Sequence, residues 1–268
     1  VLNVILSFIR LVNLVLHSET QALLKVAKGD LSSKVFVGSD DELGLIAAQT
    51  NAMIEQLRSS QQIKTVFGKM LSPAVAQELM NDPDRAARLG GERRNAVVMF
   101  TDIRGFTALS ESQSPEQLVA WLNQYFTLMV EKVHHFDGIV DKFMGDGMMI
   151  IFFESEHADS AANRALSCAQ ACIEGVKHSF PELRIGVGLH YGSLIAGNIG
   201  SSSRMEYTVI GDTVNVAARL ESMTKQLGAT ILCSNTVHQQ LSESSFRDLG
   251  MLNIRGKEES LQVWGWIE

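Results

Sequence analysis

Residues 138–153 read GIVDKFMGDGMMIIFF and predict a β-hairpin. Two runs of strand-forming residues, Gly138–Phe143 and Met148–Phe153, flank a Gly-Asp-Gly sequence that is typical of a tight turn between antiparallel strands. Asp146 therefore lies at the tip of the hairpin. Considered alone, Asp146 is an ordinary turn residue, because aspartate between glycines is common in turns.

Strands and helices alternate on both sides of this hairpin, from Asn95 onward. A short buried strand at Ala96–Phe100 and a long helix at Pro115–Phe136 come before it. The elements predicted after it are a helix at Ala158–His178, strands at Arg184–His190 and Met205–Val209, a helix at Asp212–Lys225, a strand at Ala229–Cys233 and strand-like alternation from Phe246 to Trp266. This order predicts an α+β fold in which helices cover a mixed sheet.

Composition limits the kind of protein that the chain can be. Its 268 residues are enough for a full domain and a smaller module, and its 46% of hydrophobic residues can bury a core. A net charge of −7 and the lack of a basic tract give no electrostatic support to a nucleic-acid partner. The three cysteines form no CxxC pair, which favours a reducing cytosol over a disulfide framework or a zinc site.

The first residues leave two interpretations open. The sequence begins with Val1 rather than Met, which suggests a piece of a longer protein. Its apolar opening run, Val1–Ile9, is shorter than the roughly 20 residues that a membrane span needs, and Arg10 follows it. The run is either the cytoplasmic end of a transmembrane helix, with Arg10 on the inner side, or an amphipathic helix that packs on a partner.

Two helices joined by a connector are predicted over residues 1–57. The first helix runs to about Ala27 and ends at Gly29-Asp30. The second starts at the acidic stretch Ser39–Glu42, because carboxylates stabilise the positive end of the helix dipole. Its apolar positions repeat with the 3-4 spacing of a coiled coil, at Leu43, Ile46, Thr50, Met53 and Leu57.

This coiled-coil pattern is interrupted at Arg58–Gln62 and resumes in a shifted phase with Ile63, Phe67 and Met70. A phase break of this kind rewinds a coiled coil locally. It is either a plain defect in the pattern or, between an input module and an output domain, a signalling joint.

The N-terminal segments resemble a HAMP module. They are GDLS (29–32), the connector, DELG (41–44) and the pattern N-x-M-x-x-x-L (51–57). The resemblance covers about residues 8–60 and implies the parallel four-helix relay found just inside bacterial membranes. The proline usual in the first HAMP helix is absent.

A second acidic side chain, Asp102, follows the short buried strand. A carboxylate that ends a hydrophobic strand is exposed at the sheet edge, and backbone N–H groups of the loop around Gly105 could cradle phosphate oxygens. Two carboxylates such as Asp102 and Asp146 are what a paired-metal phosphoryl or nucleotidyl transfer site requires.

Asn215 and Arg219 are four residues apart in a predicted helix and therefore project from one face of it. Such a pair often only solvates a surface. The apolar residues around Asn215, however, predict a mostly buried helix, and a buried guanidinium needs an anionic partner, which a phosphate could supply.

Four segments in unbroken order resemble the catalytic domain of class III nucleotidyl cyclases. They are VVMFTDIRGFT (97–107), DKFMGDGMMIIF (141–152), the stretch from GVGLHYG to NVAARLES (186–222) and IRGKEE (254–259). The resemblance extends over about residues 65–268 and implies the ferredoxin-like mixed sheet of these enzymes. The expected domains are the end of a transmembrane or amphipathic helix plus the HAMP module (1–60), a coiled-coil and transducer linker with a helix starting at Ser72-Pro73 (61–94), and the catalytic domain (95–268).

The cyclase resemblance implies a metal site. Asp102 and Asp146 match the two metal-binding aspartates, and Ile103 would add its backbone carbonyl. Two Mg²⁺ or Mn²⁺ ions per active site are expected. Gly105 and Phe106, in the loop after Asp102, match substrate-binding positions.

The same resemblance implies the groups that bind the nucleotide. Lys142 matches the purine-selecting lysine that contacts adenine N1, and Asn215 matches the asparagine that orients the ribose. Arg219 matches the arginine that stabilises charge on the α-phosphate in the transition state. Lys257 matches a triphosphate-binding lysine in a variable loop.

Thr208 departs from the commonest pattern of the family. Many members have aspartate at this position, seven residues before Asn215, to contact the adenine amino group. The threonine hydroxyl can still accept a hydrogen bond. Threonine resembles the IIIb-like subclass that includes soluble mammalian-type and many cyanobacterial adenylyl cyclases, several of them responsive to bicarbonate, so bicarbonate sensitivity is a hypothesis.

Several other polar side chains are expected to be structural. We expect a surface or capping role for His134-His135, packing or a hydrogen bond for His190, an N-cap at Asp212, and an Asp141 side chain on the opposite face of its strand from Lys142.

The expected protein is therefore a homodimeric adenylyl cyclase that converts ATP to 3′,5′-cyclic AMP and pyrophosphate. In the family the metal aspartates come from one chain and the nucleotide-binding groups from the other. The HAMP resemblance implies a bacterial inner (plasma) membrane receptor whose transmembrane part precedes this sequence, with this portion facing the cytoplasm. Two alternatives remain, a guanylyl or mixed-specificity cyclase and a non-catalytic nucleotide-binding relay. The complete set of five residues argues against the relay: Asp102, Asp146, Lys142, Asn215 and Arg219.

Overall fold

The computed structural model of the 268-residue chain describes residues 2–36, 41–70, 88–154, 159–201, 203–242, 245–253 and 260–267. The chain divides into two compact units, Val1–Pro73 and Ala74–Glu268, and each is described by itself. Lys257 and the helix predicted from Ser72-Pro73 lie outside the described residues.

The N-terminal unit contains a pair of helices, as predicted. Helix α1 spans Leu2–Ala27 and helix α2 spans Glu42–Met70. The acidic stretch starts α2, because a carboxylate oxygen of Asp41 accepts hydrogen bonds from the backbone N–H groups of Leu43 and Gly44 at 3.1 and 3.2 Å.

Side chains of α2 fix the connector that precedes it. The side-chain amide of Asn51 accepts a hydrogen bond from the Val35 N–H and donates one to the Val35 carbonyl, both at 2.8 Å. Arg58, the first residue of the predicted phase break, donates to the carbonyl of Leu31 at 2.6 Å. Helix α2 continues through the break, so the change of phase occurs within an unbroken helix.

The described part of the C-terminal unit contains eight strands and five helices. In chain order they are β1 Gly90–Ile103, α3 Phe106–Glu111, α4 Pro115–His135, β2 Ile139–Met144, β3 Gly147–Phe153, α5 Ala161–Ser179, β4 Ile185–Ser201, β5 Arg204–Ile210, α6 Asp212–Met223, β6 Ile231–Ser234, α7 Asn235–His238, β7 Arg247–Leu252 and β8 Leu261–Trp266.

The strands form one mixed sheet in the order β2-β3-β1-β4-β6-β8-β7, and β5 pairs with the second half of β4. Strands β4 and β6 are parallel, whereas the other neighbours are antiparallel. The predicted hairpin is present as β2 and β3. This confirms the α+β fold with a mixed sheet.

Helices cover both faces of the sheet. Val97 and Met99 of β1 pack into a core with α4 and α5, whereas Val98 and Phe100 pack into a second core with Ala217 of α6. This division follows from the two-residue period of a strand. Gly188 lets α6 lie directly on β4, because a Cβ there would collide with the backbone of α6.

Two strands are longer than predicted. Strand β1 starts at Gly90 rather than Ala96, and β4 ends at Ser201 rather than His190. The two extensions pair with each other over residues 90–95 and 193–198. The extension of β1 is largely exposed, so backbone hydrogen bonds to β4, and not burial of an apolar face, form it.

Candidate active site

The fold brings Asp102 and Asp146 together. Asp102 is near the end of β1, and Asp146 is in the turn between β2 and β3, where it accepts a hydrogen bond from the Ile103 N–H at 3.2 Å. Gly147 allows this close approach, because a Cβ there would lie 2.8 Å from the Thr101 carbonyl oxygen and 3.2 Å from a carboxylate oxygen of Asp102.

The two carboxylates repel each other when both are ionised. Burial raises the pKa of Asp102 from an ordinary value of 3.8 to about 6, and the charge of Asp146 contributes to this rise. Among the described residues no group of three or more His, Cys, Asp or Glu side chains could hold a metal ion. Two crowded carboxylates with hard oxygen donors nevertheless suit Mg²⁺ or Mn²⁺ that is also held by phosphate oxygens.

A cavity of about 510 Å³ opens beside this aspartate pair. Gly105 and Phe106, both predicted to bind substrate, line it. Gly105 has a φ of 77°, in the left-handed region, and immediately precedes α3. Ile103 also lines the cavity, while the predicted binding of a metal by its carbonyl stays a prediction.

Glu221 of α6 is a cavity residue that the sequence analysis missed. Burial raises its pKa to about 7, and the charge of Asp102 contributes, although Arg104 opposes the rise. No local pattern in the sequence indicates that Glu221 faces the aspartates. It does so because α6 lies so close to β4 that a Cβ at Gly186 would meet its carboxylate oxygen at 2.8 Å.

A second polar cluster joins β2 to β5. The Thr208 hydroxyl donates a hydrogen bond to Asp141 at 2.8 Å, and the Lys142 ammonium lies 3.5 Å from the same carboxylate oxygen. Lys142 also pairs with Glu206 at 2.5 Å. Burial alone would lower the pKa of Lys142, but the hydrogen bond to Glu206 and the charge of Asp141 outweigh it and raise that pKa.

The expectation that Asp141 and Lys142 face opposite sides of their strand is wrong. The pairing of β2 with β3 shifts between Val140 and Lys142, so a β-bulge interrupts the alternation of side chains.

Helix α6 presents Asn215 and Arg219. Asn215 is exposed, and Arg219 is half-buried, with a guanidinium nitrogen that is buried without a hydrogen-bond partner among the described residues. Val216 and Ala217 between them are fully buried. The helix is only partly buried, less than the sequence predicts, because its buried residues form one face. Arg219 carries an unused donor that suits an anion.

The predicted site residues therefore lie in separate groups within one chain. The described lining of the cavity includes Asp102 and Asp146 but not the predicted nucleotide-binding residues Lys142, Thr208, Asn215 and Arg219.

The other polar side chains have structural roles, with one correction. His190 is buried and its Nδ1 lies 2.8 Å from the Ser234 hydroxyl, and His134 and His135 occupy the last turn of α4. The N-cap of α6 is Gly211 and not Asp212, which is instead the first residue of the helix, where its charge favours the dipole. The three cysteines are free and buried.

The mixed sheet and the aspartate pair define a nucleotide cyclase domain. Residues 91–265 match the family described as the adenylate and guanylate cyclase catalytic domain, and residues 20–59 match the HAMP domain. The chain belongs to the adenylate and guanylate cyclase family, and a HAMP domain precedes its catalytic domain.

Similar proteins occur in mycobacteria. An uncharacterized protein of Mycobacterium tuberculosis is 33% identical over 246 residues, covering 91% of this chain and 43% of that protein. An uncharacterized protein of Mycobacterium bovis is 35% identical over 245 residues, covering 90% of this chain and 45% of that protein. The chain thus spans less than half the length of these curated relatives.

Solved cyclases of both specificities share the fold. The adenylyl cyclase CyaB from P. aeruginosa has a TM-score of 0.61 and 31% identity, covering 67% of this chain and 97% of that one. A bacterial light-regulated adenylyl cyclase has a TM-score of 0.71 and 26% identity, covering 81% of this chain and 64% of that one. The guanylyl cyclase Cya2 has a TM-score of 0.55 and 29% identity, covering 67% of this chain and 96% of that one.

None of the helices in the described residues is both long and apolar enough to cross a membrane.

Proposed function

We propose that this chain is an adenylyl cyclase that converts ATP to 3′,5′-cyclic AMP and pyrophosphate. The observation that carries the proposal is the convergence of Lys142 and Thr208, from two strands, on the carboxylate of Asp141. A charged donor and a hydroxyl oxygen lie side by side there, in a chain whose catalytic domain also has the aspartate pair Asp102 and Asp146.

The side chains of Lys142 and Thr208 suit adenine better than guanine. Adenine presents an acceptor at N1 beside an amino donor at C6, whereas guanine presents an N1–H donor beside an O6 acceptor. The ammonium of Lys142 only donates, so it suits adenine N1. The oxygen of Thr208, whose proton is directed to Asp141, offers lone pairs to the adenine amino group.

Asp102 and Asp146 are the residues that would hold two Mg²⁺ or Mn²⁺ ions. When bound, such ions supply charge neutralisation at the triphosphate and activation of the ribose 3′-oxygen. The protein contributes positioning and further charge stabilisation, and the attack of the 3′-oxygen on the α-phosphorus needs no covalent enzyme intermediate.

The remaining predicted residues have roles along the nucleotide. Asn215 would orient the ribose, and the unpartnered guanidinium nitrogen of Arg219 would donate to the α-phosphate as negative charge grows there. Gly105 and Phe106, which line the cavity, would contact substrate. Lys257 would contact the triphosphate.

We also propose a homodimer with two equivalent sites at the interface. Its support is the separation of the aspartate cavity from Lys142, Thr208, Asn215 and Arg219 in a single chain. A second copy would bring these groups to the aspartates, and a small rotation between the copies would assemble or disrupt the site.

The HAMP domain would regulate this rotation. In the proposed arrangement it follows a transmembrane part in the bacterial inner membrane, and residues 61–94 connect it to a catalytic domain in the cytoplasm. A guanylyl cyclase is the second candidate function, because Cya2 shares 29% identity with this chain.

A direct assay tests the proposal. The purified chain is incubated with Mn²⁺ and either ATP or GTP, and cyclic nucleotides are separated by chromatography. We expect cyclic AMP to form at least about tenfold faster than cyclic GMP, and the Asp102→Asn chain to form neither. Cyclic GMP as the main product would select the second candidate, and no product from either nucleotide would refute catalysis.

A further inference from the structure

Asp141 is a buried carboxylate next to the proposed base-binding side chains. Its side chain is 4% exposed, while Oδ2 accepts the hydrogen bond of the Thr208 hydroxyl at 2.8 Å and lies 3.5 Å from the ammonium of Lys142. Burial raises the pKa of Asp141, and the hydrogen bond from Thr208 and the charge of Lys142 oppose that rise. A buried carboxylate is costly unless partners satisfy it, and here both partners are residues that would read the base.

The β-bulge in β2 creates this contact. The register shift between Val140 and Lys142 leaves Asp141 as the extra residue of the strand. An extra residue interrupts the alternation of side chains and can redirect one of them. As a result Asp141 contacts Thr208 on β5, and the ammonium of the adjacent Lys142 lies near the same carboxylate oxygen.

The carboxylate fixes the direction of the Thr208 hydroxyl. An ionised carboxylate only accepts hydrogen bonds, so the threonine must be the donor, and its oxygen is left with lone pairs. A hydroxyl without such a partner rotates and offers either a proton or a lone pair. It would then accept from an adenine amino group or donate to a guanine carbonyl oxygen, and would not distinguish them.

We propose that Asp141 is a positioning residue that sets base selection, by taking the proton of Thr208 and holding the ammonium of Lys142. The pair then presents one acceptor and one donor in the order that adenine requires. This inference rests on the proposed function, since it takes Lys142 and Thr208 to contact the base. Glu206 provides a matched control, because it also pairs with Lys142 but is 61% exposed and lies outside the contact with Thr208.

The test compares three nucleotides with the full chain and its variants. They are ATP, purine riboside 5′-triphosphate, which lacks the 6-amino group, and GTP. For the wild type we expect kcat/KM to be about tenfold higher for ATP than for purine riboside triphosphate, the usual size of one hydrogen bond to a base. In Asp141→Asn the amide can donate to Thr208 and turn the hydroxyl proton toward the base.

Asp141→Asn should therefore bring the ratio of ATP to purine riboside triphosphate close to one and lower the ratio of ATP to GTP about tenfold. Glu206→Gln should leave both ratios within about twofold of the wild type. Each ratio is measured within one preparation, so a loss of folded protein alone does not change it. Asp141→Ala, which also removes the carboxylate, serves as the second variant if the asparagine variant does not fold.

A double-mutant cycle shows whether Asp141 acts through Thr208. In a Thr208→Val background, Asp141→Asn should change the ratio of ATP to purine riboside triphosphate by less than about twofold. Two results would overturn the inference if the wild type prefers ATP. One is an equal change of the ratio in both backgrounds, and the other is an Asp141→Asn chain with the ratios of the wild type. A wild type that makes no cyclic nucleotide would instead overturn the proposed function, and this inference with it.

Discussion

Two inactive variants should restore each other's activity when they are mixed, because the proposed site takes its groups from two chains. Asp102→Ala removes a carboxylate that lines the cavity. Arg219→Ala removes a guanidinium on α6, which is outside the described lining of the cavity. In a heterodimer one site lacks both groups, whereas the other has both. If chains exchange at random, half of the dimers are heterodimers with one intact site of two, so an equal mixture should recover about a quarter of wild-type activity.

The measurement is cyclic AMP formation with Mn²⁺ by heterodimers isolated through two different affinity tags. These should reach about half of the wild-type rate per dimer. The matched control combines Asp102→Ala with Asp146→Ala, because both groups belong to the same cavity and no heterodimer then has an intact site. Activity in this control, or none in isolated heterodimers of Asp102→Ala and Arg219→Ala, would refute the shared site.

Two further predictions concern the aspartate pair. Burial and Asp146 raise the pKa of Asp102 to about 6, so its ionised form destabilises the folded chain above that pH and the penalty disappears as the pH falls toward 4. Without divalent ions, Asp102→Asn should raise the free energy of unfolding by about 1 kcal/mol at pH 7, a value discounted for a half-buried group, and by about a third of that at about pH 4.5. Urea denaturation that gives equal gains at both pH values would contradict this. Gly147→Ala should lower cyclase activity at least about tenfold, because its Cβ would lie 2.8 Å from the Thr101 carbonyl oxygen. Gly145→Asn in the same turn is the control, because Gly145 has a φ of 66° and open space around it. This variant should stay active in the same assay. Equal rates for the two variants would show that the hairpin tolerates a displacement.

Elements with local signals are predictable from the sequence. The β2–β3 hairpin follows from glycines at the turn, and α2 begins where Asp41 can cap it. The assignment of Asp102 and Asp146 to one site needed more than local rules. Each was only a loop or turn acid until the ordered set of segments shared with the cyclase family connected them.

The features that sequence reasoning missed depend on contacts between distant elements. The outer halves of β1 and β4 have no shared apolar pattern and exist because they pair with each other. Strict alternation places Asp141 on the wrong face of β2, because alternation alone cannot predict a bulge. Glu221 reaches the cavity only because glycines of β4 admit α6 at close range.

The β2–β3 hairpin links the two halves of the proposed chemistry within each chain. Lys142 lies on β2 beside the Thr208–Asp141 contact, and four residues later Asp146 accepts a hydrogen bond from Ile103 of β1. In the proposed homodimer these two residues serve different active sites, because the aspartates and the base-reading groups of one site come from opposite chains. In this arrangement, a displacement of one hairpin would change base binding in one site and the carboxylates proposed to hold metal ions in the other. A rotation of the proposed kind would therefore affect both sites through either hairpin.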